Sequence, residues 1–122
     1  MKIFVLLSMI FLHVLNDFGL QGILAEMKCK SFWEDKGSFY KWDWIAALIM
    51  HAFSWTFMIM LPIAIYKCRL DVSFEFCAMF IANFIIHAIV DHLKANCKYI
   101  NLVGDQFIHV MQLLGTFAIL LI

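Results

Sequence analysis

The chain has 122 residues, enough for one domain. Its apolar fraction of 65% lies well above the roughly 45–50% of soluble domains, and its mean hydropathy is +0.90. Nine basic residues cancel nine acidic ones, which leaves no basic excess of the kind that nucleic-acid binding requires; the composition is that of an integral membrane protein.

Met1–Leu24 begins with one lysine and an apolar run from Ile3 to Leu15, the pattern of a secretory signal peptide. No small-residue cleavage site follows, and the run continues past His13 and Asp17, so a retained first transmembrane helix is expected over about 3–24. Glu26–Asp43 is a polar connection in which Trp33, Phe39, Tyr40 and Trp42 interleave with lysines and acids. Such rings prefer the headgroup level, and part of this segment is expected to lie along the membrane as an amphipathic piece. The second span is expected over 44–66, with Pro62 near its end, where a kink is tolerable. Lys67–Asp71 reads as a tight turn that makes the second and third spans antiparallel neighbours. The third span, 72–93, has about the 20 residues a bilayer requires, and after a short link the fourth covers 102–122. The expected fold class is therefore all-α: one membrane domain over 1–122, an integral membrane four-helix bundle with short connections. None of Cys29, Cys68, Cys77 and Cys97 forms a CxxC pair, which removes thiolate zinc and thioredoxin-type readings. Cys77 is expected as a packed small hydrophobe, and Cys29 could pair with Cys97 only in an oxidising compartment.

Polar residues interrupt the spans in a pattern. Asn83, His87, Asp91 and Lys94 fall within about 80° of one another on a helix of 100° per residue. A histidine and an aspartate in hydrocarbon cost from a few kcal/mol upward each when ionised, so such residues are functional suspects by default. The same i, i+4 pairing recurs as His13 with Asp17 on the first helix and Asp105 with His109 on the fourth, while the second helix contributes His51 alone. Depth agrees with spacing: in an antiparallel bundle all seven groups fall in the half of the bilayer nearest Glu26–Asp43 and Lys94–Asn101. Gln21, Asn83 and Gln112 extend these faces and suit the orienting of ligand imidazoles and carboxylates. His92 points away from Asn83 and is expected at the interface.

One such pair is adequately explained as an interhelical tether. Three carboxylates converging in one place repel one another, and a divalent cation resolves that repulsion. A metal site formed from His13, Asp17, His51, His87, Asp91, Asp105 and His109 is thus the leading expectation, with a proton or ion pathway and a structural network as alternatives. Imidazole and carboxylate without thiolate suit zinc, non-haem iron, manganese or nickel. Seven candidates exceed one tetrahedral ion, so some aspartates support the ligands from outside or two ions share a bridging carboxylate.

The pattern His13-x3-Asp17-x3-Gln21, isolated His51, His87-x3-Asp91-x2-Lys94 and Asp105-Gln106-x2-His109 resembles the domain-of-unknown-function family 3307, small bacterial and phage membrane proteins. The resemblance covers nearly the whole chain and implies a polytopic membrane fold and a bacterial or phage origin. It carries no established activity. In kind of site the chain is also similar to membrane-embedded metal-dependent hydrolases of the ceramidase-like group, by analogy alone.

The functional expectation is a membrane-embedded metal-dependent hydrolase acting on a lipid or other amphiphile, with a divalent metal, zinc foremost, activating water. One of Asp17, Asp91 or Asp105 would act as general base, and Lys94 would meet a phosphate or carboxylate of a headgroup. The alternative is a non-enzymatic phage or bacterial membrane factor whose His/Asp cluster is structural or holds a structural metal. Membrane lipid is the expected partner, and a homo-oligomer is compatible with four short helices. The expected location is the bacterial inner membrane, or the host membrane for a phage-encoded chain. Six lysines on the side of the site against Lys2, Lys67 and Arg69 favour that side as cytoplasmic.

Overall fold

The structure, a computed structural model, describes residues 1–67 and 73–122. The turn expected at Lys67–Asp71, the first residue expected for the third span and Cys68 lie outside the described residues, Lys67 excepted. Among the described residues the fold is all-α, with no strand. Helix α1 spans Lys2–Val14 and runs on as a π-helical turn, Leu15–Leu20. Gly22, with φ of 52°, then ends it, a backbone conformation that only glycine adopts without strain. The connection holds the single-turn α2, Leu24–Met27, and two 3-10 turns, Lys30–Lys36 and Ser38–Tyr40, separated by Gly37 with φ of 93°. Helix α3 covers Asp43–Lys67 with Pro62 inside it, α4 Phe74–Ala95 and α5 Leu102–Leu121. Side-chain caps fix the starts of the last two: Ser73 accepts from the Phe76 N–H at 3.2 Å, and Asn101 from the Gly104 N–H at 2.9 Å.

Helix α3 packs against both α1 and α4, α4 against α5, and α5 back against α1, which closes a ring of four helices. The buried positions follow helical spacing: Val5, Met9, His13 and Asn16 on α1, and Asp105, His109, Leu113 and Thr116 on α5. Helix α3 buries a double row from Ala47 to Ile63 because it has neighbours on two sides.

The distribution of polarity is inverted relative to a soluble bundle. Large apolar side chains such as Phe4, Leu7, Phe11, Phe53, Ile81, Ile85, Phe107 and Met111 face outward. Histidines, aspartates, asparagines and threonines are buried inside. An apolar exterior this continuous has no stable interface with water. Among the described residues four helices, starting at Lys2, Ser38, Phe74 and Leu102, are long and apolar enough to cross a membrane, which points to a membrane protein. Two details differ from expectation. Cys77 is exposed on the outer surface rather than packed inside, because it shares its side of α4 with the outward-facing Phe74 and Ile81. The first span is α-helical to Val14 and continues as the π-turn to Leu20, short of the expected limit of about 24, because Gly22 ends it.

Candidate metal centre

The π-turn decides how α1 enters the site. Widening the helix at Leu15–Leu20 buries Asn16, whose amide donates to Ser54 Oγ at 2.8 Å, and leaves Asp17 pointing inward. Asp17 Oδ1 lies 3.4 Å from His51 Nε2 and 4.0 Å from His87 Nε2. Asp91 Oδ2 lies 3.4 Å and 3.7 Å from the same two nitrogens. Four donor atoms from three helices thus close a ring, carboxylates at one pair of opposite corners and imidazoles at the other. A tetrahedral zinc with bonds of about 2.0 Å spaces its donors about 3.3 Å apart, near the 3.4 Å from His51 Nε2 to each carboxylate and shorter than the 3.7 and 4.0 Å from His87 Nε2.

The hydrogen bonds around this ring leave several of its donor atoms unmatched. The Gln21 side-chain N–H group donates to the Asp17 carbonyl at 3.1 Å, which fixes its nitrogen end towards His51 Nε2, 3.3 Å away. His51 Nε2 is also the nitrogen that faces the two carboxylate oxygens, each at 3.4 Å. His87 is fully buried, and neither ring nitrogen has a hydrogen-bond partner, nor does Asp17 Oδ1. Stacking holds the His87 ring between Trp55, 4.1 Å between centroids, and His109, 4.0 Å. Buried polar atoms are nearly always satisfied, so an orphaned imidazole beside an orphaned carboxylate oxygen fits a cation ligated between them.

A second group adjoins the ring. His109 Nε2 stands 3.4 Å from Asp91 Oδ1 and 3.3 Å from Asp105 Oδ1, which has no hydrogen-bond partner. Asp91 therefore presents one oxygen to each group. A relay across α4 and α5 orients His109: its Nδ1–H donates to Gln112 Oε1 at 3.0 Å, Gln112 Nε2 donates to Asn83 Oδ1 at 3.3 Å, and Asn83 Nδ2 donates to Thr116 Oγ1 at 2.6 Å. Thr116 returns its hydroxyl proton to the Gln112 carbonyl at 2.8 Å. Because each amide end has a committed partner, Nε2 is the nitrogen aimed at Asp91 and Asp105. Three overlapping sets, Asp17/His51/His87, His87/Asp91/His109 and Asp17/Asp105/His109, could each hold a metal ion.

Six of the seven expected metal ligands fall within these sets. His13 does not. Its Nδ1 accepts the Trp55 indole N–H at 2.8 Å and is 3.8 Å from Asp17 Oδ2, so this nitrogen braces Trp55. The buried indole needed an acceptor, and His13 supplies it. Gln21, Asn83 and Gln112 take the orienting positions expected of them, and His92 stacks on Trp44 at 5.1 Å, outside the site.

Three participants, Trp55, Thr116 and Lys28, are absent from the sequence reading of the site, and Gln106 stands in it only within the family pattern. Gln106 donates to Asp17 Oδ2 at 2.9 Å and to Asp105 Oδ2 at 3.0 Å, which ties α1 to α5. Trp55 and Thr116 were signalled by spacing, since each stands four residues from an expected site residue. Lys28 had no local signal. From the connection it reaches down to place Nζ 2.6 Å from Asp91 Oδ2, and it is only 3% exposed. Asn96 fixes its backbone by donating to the Lys28 carbonyl at 3.0 Å and accepting from the Lys30 N–H at 2.7 Å. Lys94 pairs with Asp105 at 2.5 Å and keeps a quarter of its side chain exposed. Convergent carboxylates were expected to demand a cation; two of the three already have an ammonium, and Asp17 does not.

Fold and site together define a class: a polytopic helical bundle of membrane type with a buried His/Asp donor set that could hold a metal ion. In comparisons with family models, with curated proteins and with solved structures, nothing matches this chain.

Proposed function

We propose that the protein is a membrane-embedded metal-dependent hydrolase acting on an amphiphilic substrate, and that its resident ion is zinc. The reading rests on one observation above the rest: the ring of Asp17 Oδ1, His51 Nε2, Asp91 Oδ2 and His87 Nε2, in which nitrogen and oxygen donor atoms face one another at 3.4–4.0 Å. Four nitrogen and oxygen donors without thiolate suit zinc. When bound, the ion would supply Lewis acidity and lower the pKa of water towards neutrality.

The chain's own residues carry the remaining chemistry. Asp105, whose Oδ1 lacks a hydrogen-bond partner and lies 3.3 Å from His109 Nε2, would take a proton from water. The proton is then delivered to the leaving alcohol as the ester bond breaks. Trp55 and His109 hold the His87 ring by stacking, and the Gln112–Asn83–Thr116 relay holds His109. The donor set is closed, with the side chains of Asp17, Asp91 and Asp105 at 5%, 1% and 0% exposure. Substrate would therefore reach it by displacement of the strap over 24–40, which Asn96 ties to the end of α4. The resemblance to family 3307 supports placing the chain in a bacterial inner membrane, or in the host membrane for a phage-encoded copy.

Purified protein incubated with vesicles of bacterial lipids, with products followed by mass spectrometry, tests the reading. Hydrolysis that ceases on chelation and returns with zinc is expected. A chelated protein that stays folded and hydrolyses at the same rate would sink it. A second reading, a non-enzymatic membrane factor with a structural cluster, draws on the ammonium partners of Asp91 and Asp105. It expects no hydrolysis by zinc-loaded protein.

A further inference from the structure

The strap between α1 and α3 holds a cavity that the donor set does not use. Its two 3-10 turns, Lys30–Lys36 and Ser38–Tyr40, meet at Gly37, whose φ of 93° reverses the chain. Trp33 of the first turn stacks on Tyr40 of the second, with ring centroids 6.1 Å apart. Against the start of α3 this arrangement leaves a cavity of about 430 Å³, whose walls include Lys30, Trp33, Glu34, Lys41, Trp42 and Trp44. Ligand sites run from about 300 to 1,000 Å³, so the space suits a small molecule or a headgroup.

The walls say what kind of ligand. Three indoles make them largely apolar, and each indole already has an ammonium over it: Lys30 on Trp44 at 4.7 Å, Lys36 on Trp33 at 5.3 Å and Lys41 on Trp42 at 5.2 Å. These are the ring faces on which a quaternary ammonium would settle, so a cationic ligand is disfavoured. The ammonium N–H groups remain available, because among the described residues the lysines held in ion pairs are Lys28 and Lys94. Within the cavity Lys30 and Lys41 face one carboxylate, Glu34, and the balance favours an anion.

Position narrows the anion. Ser38, which also lines the cavity, begins the candidate span that continues to Lys67, so the cavity lies where that span meets the membrane surface. Phe39, Tyr40 and Trp42 are exposed there, and such rings sit at headgroup level. Lysines at that level attract anionic lipids. We propose that this cavity binds the headgroup of an anionic phospholipid, the phosphate accepting from Lys30 and Lys41 and the glycerol lying against the indoles. The cavity shares no residue with the donor set, and the inference does not rest on the hydrolase reading.

Calorimetric titration of the protein in dodecyl maltoside with short-chain lipids tests it. Dihexanoylphosphatidylglycerol should bind at one site per chain, at least tenfold more tightly than dihexanoylphosphatidylcholine. Glycerol 3-phosphate should bind at least tenfold more weakly than the phosphatidylglycerol; equal affinity would make the ligand a soluble phosphate and overturn the lipid assignment. Lys30→Gln and Lys41→Gln should each weaken phosphatidylglycerol binding at least fivefold. Lys36→Gln removes the same charge from the same strap, beside the Phe32 ring at 3.5 Å, and should leave binding within twofold. Equal weakening by all three variants would mean diffuse attraction to the strap and overturns the site. Phosphatidylcholine binding as tightly as phosphatidylglycerol overturns it too, and this wild-type comparison decides alone should the variants not fold. Protein treated with chelator should bind the lipid as before; loss of binding on chelation would move the lipid to the donor set and overturn the inference.

Discussion

The bundle has two halves built on the same four helices. In one, Val5, Met9, Ile59, Met60, Ile63, Leu113, Phe117 and Leu120 pack into an apolar core. In the other, the same helix faces carry Asp17, His51, His87, Asp91, Asp105 and His109. Within a membrane the first half gains little from the hydrophobic effect, since lipid is as apolar as leucine; van der Waals packing holds it. The second half is held by ion pairs and hydrogen bonds that leave several donor atoms unmatched. A network meant only to join helices would match its own groups. The contrast is between a half whose side chains are matched by packing and a half whose donor atoms are left unmatched.

The largest expected effect is in the polar half. Asp91→Ala removes a corner of the donor ring and leaves the Lys28 ammonium buried without its partner. A loss of about 3–5 kcal/mol is expected in denaturant unfolding, with zinc content falling below detection. Unchanged zinc would dissolve the distinction between the halves. In the apolar half, Leu113→Ala should cost about 2–5 kcal/mol by the same measurement, because the side chain is fully buried, yet zinc content should hold.

A subtler substitution sharpens the comparison. Gln112→Leu cuts the relay that aims His109, and a roughly 10–100-fold loss of zinc affinity in a chelator competition is expected. The stability cost should be only about 0.6 kcal/mol, as for single hydrogen bonds between membrane helices. A large stability loss with affinity intact would make the relay structural. Smallest of all, Ile85→Ala on the outer face should shift stability by no more than about 0.5 kcal/mol and leave zinc binding alone.

How far the sequence led depended on whether the signal was local. The i, i+4 spacing of His87 with Asp91 and of Asp105 with His109 placed each pair on one helix face, and the three-dimensional contacts follow. Asn83 and Gln112 were legible for the same reason. His13 shows where this reasoning stops: it shares a face with Asp17 by spacing, but Asp17 lies in the π-turn and the Trp55 indole takes His13 Nδ1 as its acceptor. Neither is written in the spacing of His13 and Asp17. Lys28 was illegible because its partner is 63 residues away and its own neighbourhood reads as a surface connection. Only the fold of the strap, fixed by Gly22 and Asn96, brings it in.

The central claim is that one divalent ion sits among Asp17, His51, His87 and Asp91. Anomalous scattering at the zinc edge, from crystals of protein purified with zinc and without added chelator, tests it most directly. The account expects one peak per chain within bonding distance of these four side chains. A well-ordered protein with no anomalous peak there, or with its only peak elsewhere, would contradict it.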